Sequence, residues 1–151
     1  MRFMVLLKAD PQTEAGVMPS EEIVAAMTDY NEQLVRAGVL LAAEGLHPSS
    51  HGSKVTFSDA GTKVVDGPFT ESKEVIAGFW MLQCKSLEEC VEWVKRSPMG
   101  GMTGSGQPDQ VEVEIREIFD ADEFGAQYDP KLRERERRIG EQMADNARAS
   151  S

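Results

Sequence analysis

The residues best suited to chemistry are concentrated in one segment, Asp66-Gly67-Pro68-Phe69-Thr70-Glu71-Ser72-Lys73-Glu74. Gly permits positive φ and Pro fixes φ, so Asp-Gly-Pro predicts a bend that leaves the Asp66 carboxylate few conformations. A carboxylate held in this way can act as a general base or bind a substrate hydroxyl. The alternative is structural, because Asp in a turn commonly accepts hydrogen bonds from the amides of that turn.

The charged residues that follow this bend predict a binding surface for a polar group. Glu71 and Lys73 share a face if the chain is extended, whereas Glu74 points away. Lys73 keeps its proton beside two carboxylates, so it suits recognition of an anionic group. The alternative is a solvated turn, and for the aromatic residues it is a place in the core. The candidate substrate-binding residues are Glu44, Phe69, Glu71, Lys73 and Trp80.

A histidine after a predicted strand is the second candidate for acid–base chemistry. His47 precedes Pro48, and imidazole exchanges a proton near neutral pH. The alternative is a loop histidine without a role. If Asp66 is the base, His47 and Glu44 are auxiliary to it. The Gly-rich segment 98–110 lacks the Gly-Lys-Ser/Thr ending of a phosphate-binding loop. We expect this segment to be a mobile loop that covers a pocket.

Composition excludes several classes of protein. The chain has 151 residues and a net charge of −10, which argues against a nucleic-acid partner because phosphate binding needs a basic surface. No apolar run approaches the roughly 20 residues of a membrane span, and the first residues do not form a signal peptide, so we expect a cytoplasmic protein. Cys84 and Cys90 match no metal-ligand spacing. We expect no metal site, no cofactor, and reduced thiols packed in the core.

Hydrophobic periodicity predicts strands and helices in a defined order. Two strands, 2–8 and 75–84, are apolar on both faces, which is typical of central strands. Without an extra hairpin that has one wet face, the order is βαββαβ, the ferredoxin-like arrangement. Its open sheet face predicts a symmetric homodimer. The predicted elements are a strand at 2–8, a polar connection at 10–18, a helix at 20–37, a strand at 39–46, a hairpin at 54–65, a strand at 75–84, a helix at 86–97 and a strand at 111–118.

The C-terminal part has a different character. Asp129-Pro130 predicts the start of a helix made mostly of Arg and Glu, in which Glu134 and Arg138 are spaced for an ion pair. Its apolar positions are too sparse for stability in isolation, so the helix either docks on a neighbour or frays. We expect one domain at 1–120 and an extension at 121–151.

The segment from Asp66 to Glu74, continued by Ile76-Ala77-Gly78-Phe79-Trp80, closely resembles the YCII-related, or DGPF-type, domain family. The likeness includes Ala37-Gly38-Val39-Leu40 and Glu44-Gly45-Leu46-His47-Pro48-Ser49, and it covers roughly residues 1–120. It implies a ferredoxin-like fold assembled as a dimeric α/β barrel with a small-molecule pocket. The wider superfamily includes lactone isomerases and cofactor-free monooxygenases, but no general activity is established for the DGPF branch itself.

Shorter YCII relatives have a His–Asp pair with the His on the first helix. Here residues 20–37 contain no His, and Met27 stands near that position, so the pair cannot be transferred. Some family members accompany extracytoplasmic-function sigma factors, which keeps a regulatory role open.

The sequence leaves two functions open, and whether the chain is an enzyme stays open. The first is a homodimer that binds a small polar or anionic organic molecule, with cofactor-independent isomerase or lyase chemistry in which Asp66 is the base and Lys73 orients the ligand. The second is a non-catalytic regulatory or protein-interaction module, linked to transcription through a partner that binds residues 129–151. A third alternative is a scaffold whose pocket is vestigial.

Overall fold

The computed structural model describes residues 1–71, 74–102, 110–120, 123 and 129–149. The chain divides into two compact units, Met1–Glu117 and Ile118–Ser151. The first unit is a mixed α+β domain with antiparallel sheets, and the described residues of the second include a long helix.

A four-stranded antiparallel sheet organises the first unit. Its strands are β1 (Arg2–Lys8), β2 (Leu40–Gly45), β5 (Ile76–Gln83) and β6 (Val113–Glu117), and their order across the sheet is β2-β5-β1-β6. The two strands that are apolar on both faces, β1 and β5, are the central pair, as predicted. Phe3 of β1 lies opposite Leu82 of β5, and Val5 lies opposite Trp80.

Two helices accompany this sheet, α2 (Glu21–Arg36) and α3 (Leu87–Lys95). The core contains Phe3 and Val5 together with Leu34 of α2 and Cys90 of α3, all four fully buried. Burial of a large apolar side chain stabilises a fold by about 1.5–3 kcal/mol. Because Phe3 and Val5 lie on the same face of β1, their burial determines which face of the sheet the helices cover.

The helix boundaries follow the predicted caps. The Ser20 hydroxyl accepts a hydrogen bond from the Ile23 N–H at 3.3 Å, and Gly38 ends α2 with a φ of 71°. The polar connection predicted after β1 contains a one-turn helix, α1 (Pro11–Glu14), that the sequence analysis missed. A reciprocal capping box between Asp10 and Thr13 stabilises it. One turn is too short for a periodic apolar pattern, which explains the omission.

The predicted hairpin consists of β3 (Ser53–Ser58) and β4 (Gly61–Asp66), which pair in register from Ser53 with Asp66 to Ser58 with Gly61. The expectation that it has one buried face is wrong. All of its residues are exposed, including Phe57 at 79%, because no described helix or other strand packs extensively on it.

The second unit contains α4 (Pro130–Ala149), as predicted from Asp129-Pro130. Arg138 lies 3.9 Å from Glu134, and Arg137 pairs with both Glu134 and Glu141. None of its residues is buried. In the part of the chain that the structure describes, no helix is long and apolar enough to cross a membrane.

Candidate functional site

An open cavity of about 480 Å³ lies at one end of the strands of the four-stranded sheet. It is bounded by the end of β1, the end of β2, the start of β5 and the first half of α2. The segment between β1 and α2 forms another wall, and the 3-10 helix Pro98–Met102 contributes two side chains. The cavity is lined by Leu7, Asp10, Gln12, Thr13, Gly16, Val17, Met18, Pro19, Ser20, Ile23, Met27, Gly45, Leu46, His47, Pro48, Ala77, Met99 and Met102.

The lining is mostly apolar and rich in methionine. Four of the eight methionines of the chain line the cavity, namely Met18, Met27, Met99 and Met102. Methionine is flexible and polarizable, so such a surface adapts to the shape of an organic ligand. None of the described lining residues is Lys or Arg. The volume is in the range of pockets that bury drug-sized molecules.

Most polar side chains in the wall already serve as helix caps. Asp10 Oδ1 accepts from the N–H groups of Gln12 at 2.8 Å and Thr13 at 2.9 Å. The Thr13 hydroxyl accepts from the Asp10 N–H at 2.8 Å and donates to the Asp10 carbonyl at 2.9 Å. Ser20 caps α2, and Gln12 is engaged as well. These groups hold the wall in shape.

His47, a predicted candidate, lies in this wall on an exposed position after β2. Its ring stacks on that of His51, with the centroids 4.8 Å apart and the planes inclined by 10°. Within the described part of the chain, no group hydrogen-bonds to a ring nitrogen of His47. The imidazole therefore has both nitrogens available to a ligand, as donor, acceptor or proton carrier.

A second cavity of about 210 Å³ adjoins the first and contains two predicted residues, Glu44 and Trp80. The two cavities share Leu7, Met27, Gly45 and Ala77. Trp80 is only 4% exposed and its indole N–H donates to Asn31 Oδ1 at 2.9 Å. It thus belongs to the core and also lines this smaller cavity.

The other predicted site residues lie outside both cavities or outside the described residues. Asp66 is exposed at the end of β4, where its Oδ1 accepts from the Ser53 hydroxyl at 2.6 Å across the hairpin. The Phe69 ring carries the Lys54 ammonium 4.4 Å from its centroid. Glu71 is exposed, and Lys73 lies outside the described residues. Neither cavity is lined by Asp66, Phe69 or Glu71. The structure thus does not bring Asp66 and His47 together in one cavity.

The bend after Asp66 forms a close corner with the 3-10 turn Ser49–His51. The Gly67 N–H donates to the Gly52 carbonyl at 2.8 Å, and the Phe69 N–H donates to the Ser49 hydroxyl at 3.0 Å. A Cβ on Gly67 would lie 1.8 Å from the Ser49 carbonyl oxygen. Only glycine fits there.

Glu14 and Ser49 are structural residues of the site that the sequence analysis missed. The Ser49 N–H donates to Glu14 Oε1 at 2.9 Å, and the buried Ser49 hydroxyl donates to Glu14 Oε2. Because Ser49 also accepts from Phe69, this cluster connects the wall before α2 and the wall at His47 to the Asp66–Phe69 corner. No local signal in the sequence joins two residues 35 positions apart.

The remaining predicted features are the cysteines and the Gly-rich loop. Cys84 and Cys90 are free and buried, and burial raises the pKa of both thiols, that of Cys90 to about 12. The start of the Gly-rich segment reaches the cavity through Met99 and Met102, whereas 103–109 lie outside the described residues. Among the described side chains, no cluster of three His, Cys, Asp or Glu could hold a metal.

Fold and site together define a small α+β domain with an apolar cavity at one end of the strands of its antiparallel sheet. The chain belongs to the YCII-related domain family, whose model matches residues 1–124, and the predicted resemblance is thereby confirmed. It is 31% identical over 75 residues to an uncharacterized protein of Rhizobium meliloti (strain 1021). That match covers 50% of this chain and 60% of the length of the relative.

Among solved structures, the chain is similar to a 5-chloro-2-hydroxyhydroquinone dehydrochlorinase from Burkholderia phenoliruptrix AC1100 in complex with 2,5-dihydroxybenzoquinone. The sequence identity is 17% and the TM-score is 0.41, over 83% of this chain and 99% of that chain.

Proposed function

We propose that this YCII-related chain binds a small organic molecule in the methionine-lined cavity and that His47 exchanges a proton with it. The carrying observation is that His47 lies in the wall of a cavity of ligand size with both ring nitrogens free of hydrogen bonds from the described residues. A histidine of this kind suits cofactor-independent acid–base chemistry of an isomerase or lyase type.

The predicted role of Asp66 as the base stays a separate proposal. Its carboxylate is bonded to Ser53 and does not line either cavity, so we assign the proton transfer to His47. We assign the Asp66–Phe69 corner the task of holding the walls, through Ser49 and Glu14.

Methionine methyl NMR tests where ligands bind. With ¹³C-methyl methionine in the full chain, a fragment collection should shift the signals of Met18, Met27, Met99 and Met102. The other four methionines, which do not line the cavity, are internal controls. A collection that shifts only the control signals, or none, contradicts a binding site in this cavity.

Proton transfer is tested by hydrogen–deuterium exchange into a bound ligand with an acidic C–H. We expect the wild-type chain to catalyse this exchange and His47→Phe to lose it, because Phe keeps a ring for stacking on His51 but has no nitrogen. Retained exchange in His47→Phe together with loss in Asp66→Asn would return the base role to Asp66.

We further propose that the domain is ferredoxin-like and forms a homodimer through the sheet face that is turned away from the core. The strand order and the half-buried side chains Met4, Leu6, Phe79 and Met81 on that face support this. Light scattering should give twice the mass of the chain, and Met81→Arg should give the monomer mass.

We also propose a reducing compartment, the cytoplasm, which the buried free thiols support.

The helix α4 favours a second candidate, a protein-interaction module. Its apolar residues Leu132, Ile139 and Met143 are exposed and recur at helical spacing in an otherwise charged helix. Pull-down with the full chain and with an Ile139→Lys, Met143→Lys variant tests this. A partner that the variant loses supports the module, and identical recovery by both contradicts it.

A further inference from the structure

We infer that the ligand of the methionine-lined cavity is an uncharged, mainly apolar molecule, such as an aromatic alcohol, with one hydroxyl that hydrogen-bonds to His47. This rests on the proposed binding function and narrows it. It also departs from the polar or anionic molecule that the sequence predicts.

No described residue that lines either cavity is a cationic partner for a ligand. The described lining residues of both cavities include no Lys or Arg, whereas Asp10 lines the larger cavity and Glu44 the smaller. An anionic ligand of the larger cavity would therefore lose its hydration without an Arg or Lys partner among these residues, and would lie in the same cavity as the Asp10 carboxylate.

The N-terminus of α2 does not reverse this balance. A helix N-terminus favours negative charge, and Ser20 and Ile23 of this end line the cavity. However, the first turn already carries Glu21 and Glu22, and the Ser20 hydroxyl accepts from the Ile23 N–H. The positive end is thus balanced by side chains of the chain itself.

Few of the described polar side chains in the wall of the larger cavity are still free to bind a ligand. Asp10 Oδ1 and the hydroxyls of Thr13 and Ser20 serve helix caps, and Gln12 is engaged. Among the described lining side chains, the His47 imidazole is then the uncharged group with unused nitrogens, whereas the second oxygen of the Asp10 carboxylate can only accept. A ligand with one hydroxyl matches such a wall, because the imidazole can accept from it or donate to it. The four methionines then supply polarizable contacts for an aromatic body.

Three probes with the same aromatic body separate the effect of the hydroxyl from the effect of the charge: 2-naphthol, 2-naphthoate and naphthalene. Each is titrated into the full chain at neutral pH, and binding is followed by the ¹³C-methyl methionine signals. We expect 2-naphthol to bind about three- to tenfold more tightly than naphthalene, the value of one hydrogen bond. We expect 2-naphthoate to bind at least about tenfold more weakly than 2-naphthol, because its charge is unpaired.

Matched variants assign each difference to a residue. His47→Phe should lower the affinity for 2-naphthol to that for naphthalene, whereas His51→Phe, which keeps the stacked ring outside the lining, should leave it within about twofold. Asp10→Asn keeps a residue suited to capping α1 and removes the charge, so it should strengthen 2-naphthoate binding by about threefold or more.

The outcomes separate this inference from the function on which it rests. Binding of 2-naphthoate as tight as that of 2-naphthol, or equal binding of 2-naphthol and naphthalene, overturns the inference and leaves the cavity as the binding site. Failure of all three probes, while other fragments shift the four methionines, overturns the inference alone. Failure of every fragment overturns both.

Discussion

Gly67→Ala tests whether the Asp66–Phe69 corner has the structural role assigned to it. The added Cβ would lie 1.8 Å from the Ser49 carbonyl oxygen, 2.6 Å from its carbon and 3.2 Å from the Ser50 nitrogen. All three are backbone atoms, so no side-chain rotation relieves the overlap. The corner and the 3-10 turn must separate by more than about 1 Å to reach ordinary contact distance.

The expected loss of stability follows from the hydrogen bonds that span this contact. Separation breaks the bond from the Gly67 N–H to Gly52 and the bond from the Phe69 N–H to Ser49, and it strains those from Ser49 to Glu14. At about 1 kcal/mol for each of the two broken bonds and about 1 kcal/mol in all for the strained bonds to Glu14, the free energy of unfolding should fall by about 3 kcal/mol. For a chain of this size that corresponds to a melting temperature lower by roughly 6–12 °C.

Urea denaturation followed by circular dichroism at fixed protein concentration measures this change. Gly52→Ala is the matched control, because its Cβ would meet the Ser49 oxygen at an ordinary 3.5 Å and its backbone is extended with a φ of −122°. We expect the control to lie within about 1 kcal/mol of the wild type. A Gly67→Ala variant as stable as Gly52→Ala would refute the close corner.

Three further predictions concern other parts of the chain. Glu14→Gln should lower the free energy of unfolding by about 1–3 kcal/mol in the same assay, because an amide cannot accept both hydrogen bonds from Ser49; an unchanged value contradicts the cluster. Gly140→Ala should strengthen far-UV helical dichroism and stabilise α4 by about 0.8–1 kcal/mol, since a Cβ there meets nothing within 4 Å, and a weaker signal would contradict it. Burial raises the pKa of Cys90 from 9.0 and of Tyr30 from 10.0, each to about 12. The folded chain keeps these protons where the unfolded chain loses them, so the free energy of unfolding should fall as pH rises above about 9, with a shallower fall in Tyr30→Phe; a flat pH profile is the contrary result.

The elements that position the site could be predicted because their signals are local. The apolar residues of β1 and β5 identify them as central strands, and Ser20 and Gly38 mark the ends of α2. His47 could be selected as a candidate because it follows a strand directly. These features depend on residues that are neighbours in the sequence, so the order of apolar and polar residues is enough to predict them.

The cavity itself could not be predicted, because its wall is assembled from distant segments. Met18 and Met102 lie in stretches whose polar and Gly-rich composition indicates loops, and nothing local brings them near Met27. The bond between Glu14 and Ser49 likewise depends on the tertiary fold. The motif indicated Asp66 because a turn and a carboxylate coincide there. The structure places the strictest steric requirement on Gly67 instead, where there is no room for a Cβ.

The most direct test of the central claim is a crystal structure of the chain with bound 2-naphthol. The account predicts electron density among Met18, Met27, Met99 and Met102, with the hydroxyl oxygen at hydrogen-bond distance from a ring nitrogen of His47, about 2.7–3.2 Å. Density beside Asp66 with an empty methionine-lined cavity would contradict it.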